Sequence, residues 1–159
     1  MNNQKNIVLC GVGGQGTVLA SKLLAAAAMS KDIPVMSAET IGMAQRGGSV
    51  FSHLRMGDNL YSPMIETGTA DLIIGFEPGE TVRMLPYLKD HGHIVVSTRA
   101  VKPVTATLSG SDYDAPQMLE YLKAAVPNLT LVKSSTPVRM AAPRSTMFST
   151  LEEPMSAHA

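Results

Sequence analysis

The chain has 159 residues, of which 45% are apolar and 16% charged, and its thirteen basic residues balance thirteen acidic ones. This composition excludes a disordered chain, which needs low hydrophobicity and high net charge, and it offers nucleic acid no basic surface. A single cysteine excludes a disulfide framework and, within this chain, an iron–sulfur cluster or a cysteine-rich zinc site. We therefore expect one domain of ordinary size, without a membrane segment, in the reducing cytoplasm.

The first forty residues predict a strand, a glycine loop, a helix and a second strand. Residues 5–10 form a short apolar run that ends in glycine, as is typical of a buried parallel strand. The glycine loop covers residues 11–16, and residues 17–30 are strong helix formers with an apolar face. A second extended run at 33–39 completes a βαβ unit.

Strands and helices continue to alternate through the rest of the domain. Residues 49–56 alternate in polarity, which indicates a strand with one exposed face. The other predicted elements are buried strands at 70–75, 93–97 and 129–132, helices at 78–88 and 114–126, and an irregular extended segment at 101–108. This order predicts an α/β fold with three αβα layers, Rossmann-like, around a mostly parallel but mixed sheet.

The character of the chain changes after Lys133. Residues 134–159 contain eight Ser or Thr and three Pro, and they have no periodic apolar face. We interpret residues 1–133 as the folded domain and residues 134–159 as an irregular tail.

The first candidate site is the glycine loop, which follows a strand and precedes a helix. Its candidate binding residues are Gly11, Gly13, Gly14, Gln15, Gly16 and Thr17. Glycines allow a tight turn and close approach of a phosphate, and the amides at a helix start favour an anion. Glu39 lies where a dinucleotide site would place its ribose-binding acid. The spacing alone leaves open whether the loop binds a ligand or only turns the chain.

A second candidate is the loop at Arg46, Gly47, Gly48 and Ser49, which combines a bidentate donor, exposed backbone amides and a hydroxyl. It suits a phosphate or a carboxylate. If the strand order places it beside Gly13, both loops line one crevice at the carboxyl ends of the strands. Arg46 is equally compatible with an ion pair to another subunit, and the glycines with close packing.

Other polar residues give weaker signals. Glu77 and Glu80 follow a predicted strand, where they either face the crevice or cap the next helix. We expect His53 at a surface or interface rather than as a catalytic base. The histidines at 91 and 93 lack a third ligand, so no metal site is predicted. No nucleophile or acid–base constellation is recognisable, and we name no catalytic residue.

Three motifs in order carry a family resemblance: GVGGQG at 11–16, SAETIGMAQRGGSV at 37–50 and ADLIIGFEPGE at 70–80. Together they resemble the gamma-type subunit of the 2-oxoacid:ferredoxin oxidoreductases. The AQRGGSV form is similar to the indolepyruvate branch, in which this polypeptide is the beta subunit. The resemblance runs from about residue 6 to residue 132.

The resemblance implies a subunit of an enzyme that oxidatively decarboxylates 2-oxoacids to acyl-coenzyme A and reduces ferredoxin, and that is inactive alone. The implied substrates are indolepyruvate and related arylpyruvates from aromatic amino acid breakdown, in anaerobic metabolism. Thiamine diphosphate and the iron–sulfur clusters would lie on the larger alpha subunit. No cofactor is assigned to this chain itself, although coenzyme A would be a co-substrate able to contact it.

Residues 134–159 depart from the family, which continues with another helix and a closing apolar segment. We expect a truncated or frame-shifted end. Two rival functions remain: a stand-alone dinucleotide-binding oxidoreductase, based on the glycine loop and Glu39, and a structural or regulatory interaction module without a ligand.

Overall fold

The computed structural model describes residues 4–39, 47–102 and 113–133. Its elements in chain order are β1 (Lys5–Val12), α1 (Thr17–Met29), β2 (Val35–Glu39), β3 (Ser49–Met56), β4 (Ala70–Gly75), α2 (Pro78–Met84), a 3₁₀ turn (Leu85–Tyr87), β5 (Leu88–Ser97), α3 (Ala115–Ala125) and β6 (Leu129–Val132). The tail at 134–159 and most of the segment at 101–108 lie outside the described residues.

The six strands form one mixed sheet in the order β2-β3-β1-β4-β5-β6. The strands β1, β4, β5 and β6 are parallel neighbours, whereas β3 runs antiparallel to both β1 and β2. The pairing of Val12 with Ser49 brings the carboxyl end of β1 beside the start of β3. The mixed α/β sheet predicted from the sequence is confirmed.

Helices cover both faces of the sheet, because successive residues of β1 point to opposite sides. Ile7 and Leu9 pack with residues of α1, whereas Val8 and Cys10 belong to the core under α2 and α3. The contacts of α1 are with β1, β2 and β3, and those of α2 are with β1, β4, β5 and α3. This gives three layers.

Two expectations about individual elements were wrong. The helix predicted to reach residue 88 ends at Met84, because Pro86 forces the tighter 3₁₀ turn, and β5 begins at Leu88. The strand β3 has no open face: His53, expected at a surface or interface, is 1% exposed. Its Nδ1 accepts a hydrogen bond from the backbone N–H of Ile65 at 2.9 Å.

Within the described ranges, every helix is too short or too polar to cross a bilayer.

Candidate functional site

Two glycine loops meet at the carboxyl edge of the sheet. The backbone N–H of Gly13 donates to the carbonyl of Gly48 at 2.7 Å, and the N–H of Gly47 donates back to the carbonyl of Gly13 at 3.2 Å. Gly14 and Gly47 have φ of 99° and 76°, the left-handed region that glycine adopts without a steric penalty. The strand order therefore brings together the two loops that the sequence placed 30 residues apart.

Gln15 ties the first loop to the neighbouring strand β4. Its Oε1 accepts from the backbone N–H of Val12 at 2.7 Å, and its Nε2 donates to the carbonyl of Phe76 at 3.1 Å. The side chain thus bridges the ends of β1 and β4. Within the described structure, Gln15 has a structural role that its position in a glycine motif did not reveal.

Gly11 lies under the loop, where no larger residue fits. A Cβ at this position would lie 2.8 Å from Oε1 of Gln15, and 2.9 Å from both Cβ of Phe76 and Oγ1 of Thr17. Thr17 is 2% exposed, and its hydroxyl has no hydrogen-bond partner among the described residues. Its hydroxyl therefore faces the interior beside Gly11.

The start of α1 carries no side-chain cap and no acid in its first turn. Gly16 occupies the N-cap position with φ of 87°, and its carbonyl accepts from Ala20 at 2.9 Å. The backbone N–H groups of residues 17–19 have no partner within the helix, as at every helix start. An open helix start beside a glycine loop is a favourable place for an anion.

The start of α2, at the end of the adjacent strand β4, carries two buried carboxylates. Glu77 is the N-cap and accepts from the backbone N–H of Glu80 at 2.9 Å, which confirms capping for Glu77. Glu80 accepts from the hydroxyl of Ser49 at 2.5 Å. Glu77 is 0% and Glu80 1% exposed. The second glycine loop is therefore tied to α2 as well as to the first loop.

Burial changes the acid–base behaviour of two groups here. It raises the pKa of Glu77 to about 7, and the charge of Glu80 acts in the same direction, against the lowering effect of backbone N–H donors. Burial also raises the pKa of the Cys10 thiol to about 12. Cys10 is therefore an unreactive core residue, 4.0 Å from Oγ1 of Thr81.

Glu39 is not brought to the glycine loop. The antiparallel strand β3 lies between β2 and β1, which places Glu39 two strand spacings, roughly 10 Å, from β1. Its register partner is Ser52, which in turn pairs with Leu9, below the loop. Arg46 lies outside the described residues.

The structure adds contacts that the sequence did not signal. The bond from Ser49 to Glu80 joins residues 31 apart, and no local pattern announces it. For the capping role of Glu77 there was one local signal: the proline that follows it, because proline is common at the first position of a helix. In the described part of the chain, no three His, Cys, Asp or Glu residues are placed to hold a metal ion.

Comparison with known proteins identifies the chain's relatives. The family model for pyruvate ferredoxin/flavodoxin oxidoreductase matches residues 6–142. Indolepyruvate oxidoreductase subunit IorB of Archaeoglobus fulgidus is 39% identical over 82% of this chain and 65% of its own length. The corresponding subunit of Methanothermobacter thermautotrophicus is 42% identical over 68% of this chain and 55% of its length. The chain therefore spans about three fifths of the length of these relatives.

Solved structures agree on the fold. The gamma subunit of a keto/oxoacid ferredoxin oxidoreductase from Geobacter sulfurreducens has a TM-score of 0.53 and 20% identity to this chain. The alignment covers 82% of this chain and 60% of the length of that subunit. The 2-oxoglutarate:ferredoxin oxidoreductase of Magnetococcus marinus, solved with 2-oxoglutarate, coenzyme A and succinyl-CoA bound, aligns with 82% of this chain and 20% of its own. Its TM-score is 0.57 at 17% identity, which establishes a shared fold.

Proposed function

Because the chain belongs to the pyruvate ferredoxin/flavodoxin oxidoreductase family, we propose that it is the non-thiamine subunit of an indolepyruvate-type ferredoxin oxidoreductase. In the proposed reaction an arylpyruvate and coenzyme A give an acyl-coenzyme A and carbon dioxide, and two electrons pass to ferredoxin. The names of the relatives at about 40% identity support this substrate class.

One observation carries the role proposed for this chain: the two glycine loops are hydrogen-bonded to each other beside the open start of α1. Coenzyme A carries a diphosphate and a further phosphate, which suit the wall of backbone N–H groups at the start of α1. The N–H groups of Gly13, Gln15 and Gly47 already donate within the protein and hold the loops beside this wall in shape. In the proposed complex this wall binds and orients coenzyme A at the entrance of the partner's active site. The candidate contacts are the backbone N–H of Thr17 together with Gly13, Gly14, Gly16, Arg46, Gly47, Gly48 and Ser49. Gly11 and Gln15, also expected at the site, support the loop from within.

Iron–sulfur clusters do not fit this chain. An iron–sulfur cluster requires several thiolates, and the single cysteine is buried with its pKa raised. We therefore place the clusters, together with thiamine diphosphate, on the larger alpha subunit, and ferredoxin would bind to the complex. In this proposal the chain contributes no catalytic residue, is inactive alone, and serves aromatic amino acid breakdown in the anaerobic cytoplasm.

Geometry disfavours the rival dinucleotide function. A ribose-binding acid at the end of the second strand works when that strand lies beside the first, as in nucleotide-binding sheets. Here β3 separates them, and Glu39 lies below the level of the loop.

Reconstitution tests the proposal. The full chain is mixed with its larger subunit, and ferredoxin reduction is followed with indolepyruvate and coenzyme A. We expect reduction that requires both polypeptides and coenzyme A. Hydride transfer to or from a nicotinamide by the chain alone would overturn the proposal. In calorimetry, heat on mixing with the larger subunit, but none on adding coenzyme A to the chain alone or to the complex, would favour the structural module.

A further inference from the structure

The hydroxyl of Ser49 connects the second glycine loop to a buried acid. Ser49 opens β3 and pairs with Val12, the last residue of β1. Its hydroxyl donates to Oε2 of Glu80 at 2.5 Å. Two residues before Ser49, the N–H of Gly47 donates to the carbonyl of Gly13. The carboxylate of Glu80 thus reaches both loops through a single side chain.

Glu80 is fixed at its backbone by the neighbouring Glu77. Its own backbone N–H donates to Oε2 of Glu77, which caps the helix, and it is 1% exposed. The only cation paired with it in the described ranges is Arg83, whose Nε lies 4.0 Å from Oε1 and whose side chain is 62% exposed. Burying a carboxylate with so little compensation costs free energy. Its bond to Ser49 is charge-assisted and therefore stronger than a neutral one.

Glu77 is the second buried carboxyl group beside Ser49. Its Oε1 is buried and has no hydrogen-bond partner among the described residues. A Cβ at Gly79 would lie 3.1 Å from Glu77 Oε2 and 3.2 Å from the Tyr113 ring, so that phenol is a close neighbour. A further titratable neighbour among the described residues is the thiol of Cys10 on β1, beneath α2.

We propose that Glu80 is a positioning residue for coenzyme A: through Ser49 it holds the Gly47–Gly48 segment against Gly13 and so fixes the width of the crevice. The inference rests on the function proposed above. With Glu77 neutral, repulsion between the two carboxyl groups is absent. When Glu77 ionises, repulsion between the two carboxylates loosens the hold on Ser49.

The pKa of Glu77, which burial raises to about 7, places this loosening between neutral and alkaline pH. The exchange of the Gly13 and Gly47 amides with solvent should therefore accelerate as pH rises from 6 to 9, beyond the intrinsic base-catalysed increase. The affinity for coenzyme A should fall over the same range. The variant Glu77→Gln, which stays neutral and keeps a cap acceptor, should remove both trends.

The experiment compares wild type, Ser49→Ala, Ser49→Thr, Glu80→Gln and Glu77→Gln as full-length chains, alone and in complex with the larger subunit. Amide exchange of Gly13 and Gly47 is read by NMR on the free chain, and coenzyme A affinity by titration calorimetry on the complex. Glu120→Gln is the matched control, because Glu120 is exposed and pairs with Lys123 on α3. Thermal unfolding verifies that each variant is folded.

We expect Ser49→Ala to raise both exchange rates and the dissociation constant about tenfold, as for a hydrogen bond to a charged group. We expect Ser49→Thr to have the exchange rates and the dissociation constant of wild type. Glu80→Gln should raise both by less than Ser49→Ala does, and neither should then depend on the ionisation of Glu77. If wild type binds coenzyme A and Ser49→Ala changes neither quantity, this inference is wrong while the proposed function stands. If wild type does not bind coenzyme A, the proposed function fails and the inference fails with it.

Discussion

The helices α1 and α2 begin at the same edge of the sheet, after the neighbouring strands β1 and β4, yet their starts are built in opposite ways. The start of α1 is glycine-rich, without side-chain cap or acid. The start of α2 has a capping Glu77, a proline at the first helical position and Glu80 in its first turn. The positive end of the first helix is available to a ligand, whereas carboxylates of the chain already occupy the second.

Under the proposed function, this difference assigns ligand binding to the start of α1 and structural support to the start of α2. The open start lies beside the two loops, and the closed start holds one of those loops through the bond from Ser49 to Glu80. The buried Glu80 at the start of α2 therefore holds a loop in place, whereas an acid at the start of α1 would repel an anionic ligand. The comparison makes predictions that differ in size for the two helices.

The largest expected effect is on the packing of α2, the helix with the capped start, against the end of β4. A Cβ at Gly75 would lie 1.8 Å from Oγ1 of Thr81, so Gly75→Ala should lower the free energy of unfolding by about 3 kcal/mol or more. Urea denaturation measures it. The double variant Gly75→Ala/Thr81→Ala should recover part of the loss, because the clash with Oγ1 is gone. A loss below about 0.5 kcal/mol for Gly75→Ala would show that α2 does not need this close contact.

The second prediction concerns the pH dependence of stability, through Glu77 at the start of α2. The folded-state pKa of Glu77 is raised from 4.5 to about 7, so the folded state binds the extra proton between these values. Its contribution to stability is fully present below pH 4.5 and is lost as pH rises through 7. Between pH 5 and 9 wild type should lose on the order of 2–3 kcal/mol from this group. Glu77→Gln should lack that loss, and denaturation at several pH values compares it with Glu120→Gln. Equal pH dependence in both variants would contradict the assignment.

The smallest predicted stability effect tests Thr17 at the open helix. Its buried hydroxyl has no described partner, so the isosteric Thr17→Val should leave stability unchanged or raise it by up to about 1 kcal/mol. If the hydroxyl faces the interior, coenzyme A affinity should not change. A Thr17→Val variant that folds normally but binds coenzyme A more than tenfold more weakly would place the hydroxyl in the binding site after all.

Much of the fold could be predicted because its signals are local. The strands at 49–56, 70–75 and 129–132 have the bounds expected from their apolar runs and alternation. The start of β5 was missed because its first residues, Leu88–Gly92, are largely polar and exposed. The burial of His53 was missed because alternation reports which side chains share a face, and gives no sign that helices cover both faces.

The candidate site was predictable in its parts and not in its contacts. The glycines of both loops were recognisable, since tight turns and close approaches require them. The bridge from Gln15 to Phe76 and the bond from Ser49 to Glu80 join residues 61 and 31 apart, so only the folded chain shows them. Glu39 had suitable sequence spacing, and the insertion of β3 between β1 and β2 removes it from the loop.

The central claim is that the open start of α1 faces an anionic ligand, and a charge placed there tests it. Leu19 is the third residue of α1 and is 60% exposed, so Leu19→Glu adds a carboxylate to the first turn without disturbing the core. Coenzyme A is titrated calorimetrically into the complex of the full chain and its larger subunit, with Leu19→Gln as the neutral control. We predict that Leu19→Glu weakens binding about fivefold relative to Leu19→Gln, which corresponds to about 1 kcal/mol. Equal affinity of the two variants would contradict the claim.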